Sequence, residues 1–340
     1  MTQDQTLKAE LAAATSGVAV YDRSAWGRIE VSDADRLSFL HNQSTNDLKH
    51  RKPGEGCDTV FLTSTARTID LATAYVLDES VLLMVSPGMT EKILSFLDRY
   101  IFFADKVKLT DITDQTYAFS VFGAKSHTLL AQLGAAEMIG QPYGTHRVFT
   151  IAGQAVRVAI GSGLVTEGYT LLAPTPLQSA LVEAGATAID DATWNTLRIR
   201  QGRPMPRHEL TDTYNPLEAG LWHTISFDKG CYIGQETIAR LDAYNGVKQQ
   251  LWGVRLDKPV TVGDSVKIGE EKVGTVTSVA PSEGGELPEP GKGAIALAYI
   301  RTKAGGAGLT VQISDSVGEV VDLPYLTRVA HRASSKPRQG

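Results

Sequence analysis

The hydrophobic pattern of this 340-residue sequence changes near residue 247, and that change constrains the fold more than any other feature. Before it, short segments typical of β-strands alternate with segments typical of helices, which indicates an α+β or α/β fold. After it, short valine-rich segments separated by glycine and proline continue to Val329, a pattern typical of a small β-barrel or sandwich. We therefore predict an α+β or α/β region at 1–245, a small β-barrel or sandwich at 246–330 and a disordered tail at 331–340.

Helix signals are clear in the first region. Residues 32–35 supply capping side chains before a helix at 36–48, and Gly202 with Pro204 ends a helix at 192–201. Gly161 and Gly163 do not form a dinucleotide fingerprint, because Thr166 occupies the place of its third glycine. Strands are predicted at 28–31, 81–86, 117–122 and 156–160, helices at 36–48, 89–100, 125–133, 177–184 and 192–201, and a polar loop at 281–293.

Composition and charge exclude several classes of function. The net charge of −5 gives no basic surface typical of nucleic-acid-binding proteins. No apolar run approaches the about 20 residues that span a bilayer, and residues 1–14 lack the apolar core of a signal peptide. Two cysteines, Cys57 and Cys231, indicate neither a disulfide framework nor a permanent iron–sulfur or zinc site. We predict a cytoplasmic protein that contacts neither nucleic acid nor membrane directly.

The segment Lys-Gly-Cys-Tyr-Ile-Gly-Gln-Glu at 229–236 is the strongest candidate for a functional site. Gly230 and Gly234 favour a turn, and glycine lets a ligand approach the main chain closely. Residues 235–241 are typical of a helix, so the cysteine of this segment lies just before a helix N-terminus.

Cys231 therefore has two positive neighbours, the helix N-terminus and Lys229, and both favour the thiolate over the thiol. A nucleophilic or redox-active cysteine and a small buried structural cysteine fit this pattern equally well. His208 and His223 lie nearest in sequence, but their spacing does not require either ring to meet the thiol. Chemistry alone leaves both interpretations open.

The octapeptide at 229–236 resembles the signature of the YgfZ family, folate-binding proteins similar to the T-protein (aminomethyltransferase) of the glycine cleavage system. Further segments resemble these families, namely 22–24, 27–31, 35, 39–40, 45–47, 197–199, 202, 204, 215–218, 273–278 and 295–298. The resemblance implies a ring of three domains around a channel that binds tetrahydrofolate. Residues 1–245 would then form two interleaved α+β subdomains, followed by the C-terminal barrel.

The resemblance also implies several folate-binding residues. Glu167 is similar to the glutamate that holds the pteridine, since a carboxylate accepts two hydrogen bonds from an amino-pyrimidine edge. Arg198 matches a shared arginine that could pair with a folate carboxylate. Asn46 or Asp47 would line the same cavity. Without the resemblance, Glu167 could equally be an exposed loop acid and Arg198 part of a surface ion pair.

Asp70 marks a departure from the T-protein pattern. The T-protein has adjacent aspartates after a glycine pair, whereas residues 66–71 here contain Asp70 alone and no glycine. An Arg-Asp pair of the T-protein is replaced by Trp194 and Asn195. A conventional aminomethyltransferase is therefore not indicated, although Asp70 could still act as a general base within a folate cavity.

Three functions remain open at this stage. The first, which the resemblance to the YgfZ family implies, is a tetrahydrofolate-binding accessory factor for iron–sulfur cluster assembly or repair, with Cys231 as a reactive thiol assisted by Lys229. It would meet iron–sulfur client enzymes transiently and affect tRNA modification only indirectly. The second is a folate-dependent aminomethyltransferase or demethylase that uses Asp70. The third is a folate-binding scaffold in which Cys231 is structural.

Overall fold

The computed structural model describes residues 3–281 and 293–329. Helices in this part of the chain are α1 (Gln3–Ser16), α2 (Arg36–Gln43), α3 (Thr90–Asp98), α4 (Ser126–Gln132), α5 (Gln178–Glu183), α6 (Asp191–Gln201) and α7 (Gln235–Ala243). Strands of the first region are β1 (Ala19–Asp22), β2 (Gly27–Ser32), β3 (Gly56–Leu62), β4 (Thr68–Val76), β5 (Ser80–Val85), β6 (Lys108–Asp111), β7 (Tyr117–Phe122), β8 (His146–Ile151), β9 (Gln154–Ile160), β10 (Gly168–Ala173) and β11 (Thr187–Ile189). The last region contains β12 (Gln249–Leu256), β13 (Ser265–Ile268), β14 (Glu271–Pro281), β15 (Ala294–Arg301), β16 (Thr310–Ile313) and β17 (Ser316–Val321).

These strands form two open sheets and a closed barrel. One sheet has the order β11-β1-β7-β10-β9-β8, in which β1 pairs parallel with β11 and antiparallel with β7. The other sheet is antiparallel, with the order β3-β4-β5-β2-β6. The barrel has the order β12-β15-β14-β13-β16-β17, and closure leaves it without a free edge. The predicted α+β fold with a C-terminal β-barrel is confirmed.

Helix α6 connects the sheets to the barrel. Leu197 packs in the core that contains Trp26, whereas Ile199 packs in a second core shared with barrel residues. The Asp190 side chain accepts a hydrogen bond from Thr193 N and caps the start of the helix. Gly202, with a φ of 87°, ends it in the left-handed region that favours glycine. Residues after Gly202 are thereby directed to the place where the three parts of the fold meet.

The predicted helix at 36–48 is too long. Helix α2 ends at Gln43, because Ser44 is extended and bridges to Phe61, and the Thr45 hydroxyl donates to Thr224 O at 2.8 Å. The capping prediction is also wrong in detail, since the Asp35 side chain accepts from Lys106 N instead of capping α2. These tertiary bonds compete with the local helix signals.

Some predictions fall where the structure gives no description. The predicted tail at 331–340 lies outside the described residues, as does nearly all of the predicted loop at 281–293. The domain boundaries at 245 and 330 remain predictions. Among the described residues, none of the helices combines the length and apolar character needed to cross a bilayer.

Candidate functional site

A cavity of about 450 Å³ lies where the two sheets and the segment after the barrel meet. Strand β3 contributes Cys57 and Asp58 to its lining, the loop before β8 contributes Tyr143, and the segment after β17 contributes Tyr325. This volume is in the usual range for sites that bind small molecules. A larger cavity of about 1120 Å³ lies between α1, α6 and the barrel, but the predicted site residue Asn46 lines the cavity of about 450 Å³, which we call the main cavity.

A second cavity of about 230 Å³ adjoins the main cavity, because Tyr143, Leu164 and Val165 line both. The Tyr143 hydroxyl donates to Asp58 Oδ2 at 2.8 Å and so connects the two sheets beside the main cavity. The Tyr143 ring lies 2.4 Å from where a Cβ on Gly161 would be, so this arrangement requires glycine there. We call the smaller space the side cavity.

Two predicted folate residues line these cavities. Glu167 lines the side cavity with an 83% exposed side chain, and its Oε2 is 3.6 Å from His127 Nε2. Asn46 lines the main cavity, where its amide donates to Asp58 O at 2.7 Å and its oxygen accepts from Asp47 N. Asp47 instead binds histidines, with Oδ1 3.0 Å from His41 Nδ1. The pattern around 45–47 thus located a wall of the main cavity.

The prediction that Arg198 contacts a folate carboxylate is wrong. Its side chain is 1% exposed, and Nη1 pairs with Glu209 Oε2 at 2.8 Å. Nε donates to Asn195 Oδ1 and Nη2 to Ser278 Oγ, each at 2.8 Å. All three guanidinium nitrogens are therefore used inside the protein. The surface ion-pair alternative is wrong as well, because the pair is buried between α6 and β14.

Asp70 lies on β4 and is fully buried. Its Oδ1 accepts from Leu71 N and its Oδ2 from Ser86 N, each at 2.9 Å. Burial raises the pKa of Asp70 to about 6, against the opposing effect of these bonds and of Arg203. It lines neither cavity.

Lys229 anchors the octapeptide to the rest of the fold. Its side chain is 9% exposed, and Nζ donates to the carbonyls of His41, Ser44 and Asn46, the last two at 2.7 and 2.8 Å. Burial lowers the pKa of Lys229 to about 8. The ammonium thus holds the end of α2 and a wall of the main cavity, and its bonds go to these carbonyls.

Cys231 is an exposed free thiol in the turn before α7. The N-cap of α7 is Gly234, whose φ of 80° and close approach to Thr63 O require glycine. The turn is held by Lys229 and by a bond from Ile233 N to Asn42 O at 3.1 Å. The small buried structural cysteine of the alternative interpretation is therefore excluded for Cys231.

A histidine that sequence spacing missed lies beside this turn. His41 Nε2 is 3.9 Å from where a Cβ on Gly230 would be, and Asp47 binds the opposite ring nitrogen. Burial, with a smaller effect from Lys229, lowers the pKa of His41, which favours the neutral imidazole. The main-chain N–H of Lys49 donates to the same Nδ1 of His41 at 3.3 Å, and the ring approaches the turn at Gly230. The 188 residues between His41 and Gly230 concealed this proximity in the sequence.

The two cysteines should differ sharply in reactivity. Cys57 is 4% exposed, and burial raises its pKa to about 12, whereas Cys231 is exposed. Because the thiolate is the reactive form, native protein at pH 7.5 should take up about one equivalent of iodoacetamide, at Cys231. Peptide mass mapping checks this, with urea-unfolded protein as the control that labels both thiols. Native labelling of Cys57 at a similar rate would contradict the expected burial.

Comparison with known proteins places this geometry in a family. The family model described as GCVT N-terminal domain matches residues 2–229, more than half of the chain. The chain belongs to the GCVT family. Its match covers both sheets and ends at Lys229, the anchor of the octapeptide.

GCVT-family relatives cover most of the chain. The Arabidopsis thaliana protein named "Putative transferase At1g60990, chloroplastic" is 44% identical over 318 residues, 92% of this chain and 72% of that protein. An aminomethyltransferase of Exiguobacterium sibiricum is 28% identical over 88% of this chain and 82% of its own length. The structure of aminomethyltransferase T of the glycine cleavage system from Bartonella henselae has a TM-score of 0.80 at 17% identity, covering 96% and 91% of the two chains. That structure has the same fold.

Proposed function

We propose that this GCVT-family protein binds tetrahydrofolate and uses Cys231 as a reactive thiol in the assembly or repair of iron–sulfur clusters on client enzymes. The main support is the exposed Cys231 on a turn fixed by Lys229, beside the His41–Asp47 pair. Effects on tRNA modification follow indirectly, through client enzymes that need clusters. The resemblance of 229–236 to the YgfZ signature supports this assignment within the family.

The two cavities fit a reduced folate. Together they provide an elongated space lined by the rings of Tyr143, Tyr169 and Tyr325, and aromatic rings suit a pteridine and a benzoyl group. Glu167 offers a carboxylate at the side cavity for the amino-pyrimidine edge. We place the pteridine there and the remainder of the folate past Tyr143 in the main cavity.

The thiol role is transient exchange of sulfur or a cluster. Cys57 is buried, so Cys231 is the one exposed thiol of the two cysteines in the sequence. Permanent iron–sulfur clusters usually take four thiolates, and a single thiol cannot supply them. A single thiolate can instead attack the outer sulfur of a partner's persulfide, which forms a persulfide on Cys231 and releases the partner's thiolate, and the same exchange in reverse passes that sulfur on. The client enzymes would hold the finished cluster.

An aminomethyltransferase or demethylase is the second candidate, because one observation favours it. The pKa of Asp70 is raised to about 6, close to the value that suits a general base at neutral pH. Its two oxygens are occupied by main-chain N–H groups and it lies outside both cavities, which favours the first candidate.

Folate affinity tests the binding half of the proposal. Glu167→Gln should weaken binding of folinic acid, a stable tetrahydrofolate, by roughly tenfold, since hydrogen bonds to a charged group are lost. Calorimetry measures this, with Glu137→Gln as the control, another exposed acid, which pairs with Arg147. Unchanged affinity in Glu167→Gln would show that the pteridine lies elsewhere. No binding by the natural protein would overturn the folate assignment.

A further inference from the structure

Two buried arginines, Arg23 and Arg203, lie together beside the main cavity. Arg23 follows β1 and is 2% exposed, and Arg203 follows α6 and is 3% exposed. Their Cζ atoms lie 3.8 and 4.9 Å from the centre of the same indole, that of Trp26. Within the described residues, no carboxylate lies within 4.0 Å of either guanidinium. The two cations therefore share a site without an acidic partner.

Hydrogen bonding to this pair is also incomplete. Arg23 Nη1 has Ser120 Oγ at 3.4 Å, Arg203 Nη1 has Pro204 O at 3.4 Å and the sulfur of Met205 at 2.8 Å, and the Arg203 side chain also donates to the Tyr325 hydroxyl. The Nε atoms of both arginines are buried and have no hydrogen-bond partner among the described residues. Buried polar groups are normally satisfied, so two adjacent exceptions need an explanation.

Other buried arginines of this chain are well satisfied. Arg198 has a bond of 2.8 Å at each of its three nitrogens, one of them to a carboxylate. Arg28 is fully buried, and its guanidinium donates to several main-chain carbonyls and the Thr116 hydroxyl. The lack of hydrogen-bond partners and of an acidic partner is therefore particular to the site of Arg23 and Arg203.

Electrostatics makes the unbalanced pair costly. Burial, and next the charge of Arg203, lower the pKa of Arg23 to about 10, which leaves it cationic at pH 7. Asp70 is the nearby acid, but its oxygens are occupied by Leu71 N and Ser86 N. Burying two like charges is unfavourable unless an anion balances them.

The arginine pair lies directly behind the wall of the main cavity. Gly163 and Tyr325 form this part of the wall. A Cβ on Gly163 would be 2.9 Å from Arg23 Nη1, and the φ of 82° also favours glycine. Arg203 Cζ is 6.0 Å from the centre of the Tyr325 ring. Neither arginine lines the cavity itself, so an anion at this end would lie against Gly163 and Tyr325, with both guanidinium groups directly behind them.

We propose that Arg23 and Arg203 form the anion site of the main cavity and bind an ionised carboxylate of its ligand. The planar guanidinium matches a carboxylate in a bidentate geometry, and stacking on Trp26 fixes both planes before the ligand arrives. The inference rests on the proposed function, in which the cavity holds a folate. The carboxylate belongs either to the glutamyl group of that folate or to a second, amino-acid-like molecule.

The test compares ligands with and without a carboxylate by calorimetry. Arg203→Met and Arg23→Met should bind folinic acid at least about tenfold more weakly, since a charge-assisted pair is lost. Binding of tetrahydrobiopterin, which has a reduced pterin ring and no carboxylate, should change less than about twofold. Arg207→Met is the control, because Arg207 is exposed on the same segment.

A second arm distinguishes the source of the carboxylate. If a separate molecule supplies it, folinic acid affinity stays unchanged in the variants, and binding of glutarate to the folate-loaded protein falls about tenfold or more. A loss of affinity in either arm supports the anion site. Unchanged affinity in both arms overturns it. If the natural protein binds no folate, the proposed function fails, while glutarate alone still tests the arginine pair.

Thermal unfolding without ligand gives an independent readout. Removal of one of two repelling buried charges should raise the Tm of Arg203→Met by about 2 °C or more in the absence of ligand. A lower Tm would show that the pair is structural and would contradict the inference. Arg203→Lys keeps the positive charge but lacks the planar guanidinium with its paired N–H donors. It should therefore fold like the natural protein and still bind folinic acid more weakly.

Discussion

Arg198→Met should lower the free energy of unfolding by about 3–5 kcal/mol, the largest stability effect that we expect from a single substitution. The variant leaves the Glu209 carboxylate fully buried without its cation. Thr277, Ser278 and Met205 N still donate to Glu209, but neutral donors do not balance a buried charge. Urea-induced unfolding followed by tryptophan fluorescence measures the change.

A double variant separates the lost ion pair from lost packing. Arg198→Met with Glu209→Leu should recover much of the stability, because both charges are then absent. The exposed pair of Lys258 and Asp315 is the control, and Lys258→Met should cost less than about 1 kcal/mol. If Arg198→Met cost as little as that control, the expected cost of leaving Glu209 buried without its cation would be contradicted.

Cys231→Ala should abolish function in cells while leaving the fold intact. The side chain is exposed, and the turn is held by Lys229 and by the bond from Ile233 N to Asn42 O, neither of which the substitution removes. Cells that lack the protein should therefore regain no iron–sulfur enzyme activity from this variant, although folinic acid affinity and Tm match the natural protein. The assay compares client enzyme activity at equal protein levels.

Controls for the thiol assay are available in the same chain. Cys57→Ala removes the buried thiol, and folded Cys57→Ala protein should still restore iron–sulfur enzyme activity in cells that lack the natural protein. Full rescue by Cys231→Ala would exclude the thiol role and leave a folate-binding scaffold. If Cys231→Ala restored function in cells and Asp70→Asn did not, the transferase or demethylase would replace the iron–sulfur function as the better assignment.

The fold could be predicted largely from local pattern, and the site only partly. The pattern after residue 247 left a barrel and a sandwich open, and the resemblance decided for the barrel. The end of the helix predicted at 192–201 followed from Gly202 and Pro204, whereas its cap, Asp190, was not predicted. The end of α2 could not be predicted, because Ser44 and Thr45 bind residues of β3 and of the segment near Thr224.

Site residues were missed where their partners lie far along the chain. Arg198 has the appearance of a ligand-binding arginine until Ser278, 80 positions away, is placed against it. His41 meets the octapeptide only through folding, and no local spacing indicates that contact. Arg23 and Arg203 were missed for the same reason, since their meeting at Trp26 arises only through folding.

The hydrogen bonds of the Lys229 ammonium restrict which side chains position 229 tolerates. The carbonyl oxygens of His41, Ser44 and Asn46 all accept hydrogen bonds from the single Nζ atom, which can donate three. A planar guanidinium has all its N–H groups in one plane, so it cannot donate to these three carbonyl oxygens in the same way. Position 229 is therefore selective for the shape of the charged group as well as for its sign, so arginine is not a conservative replacement there.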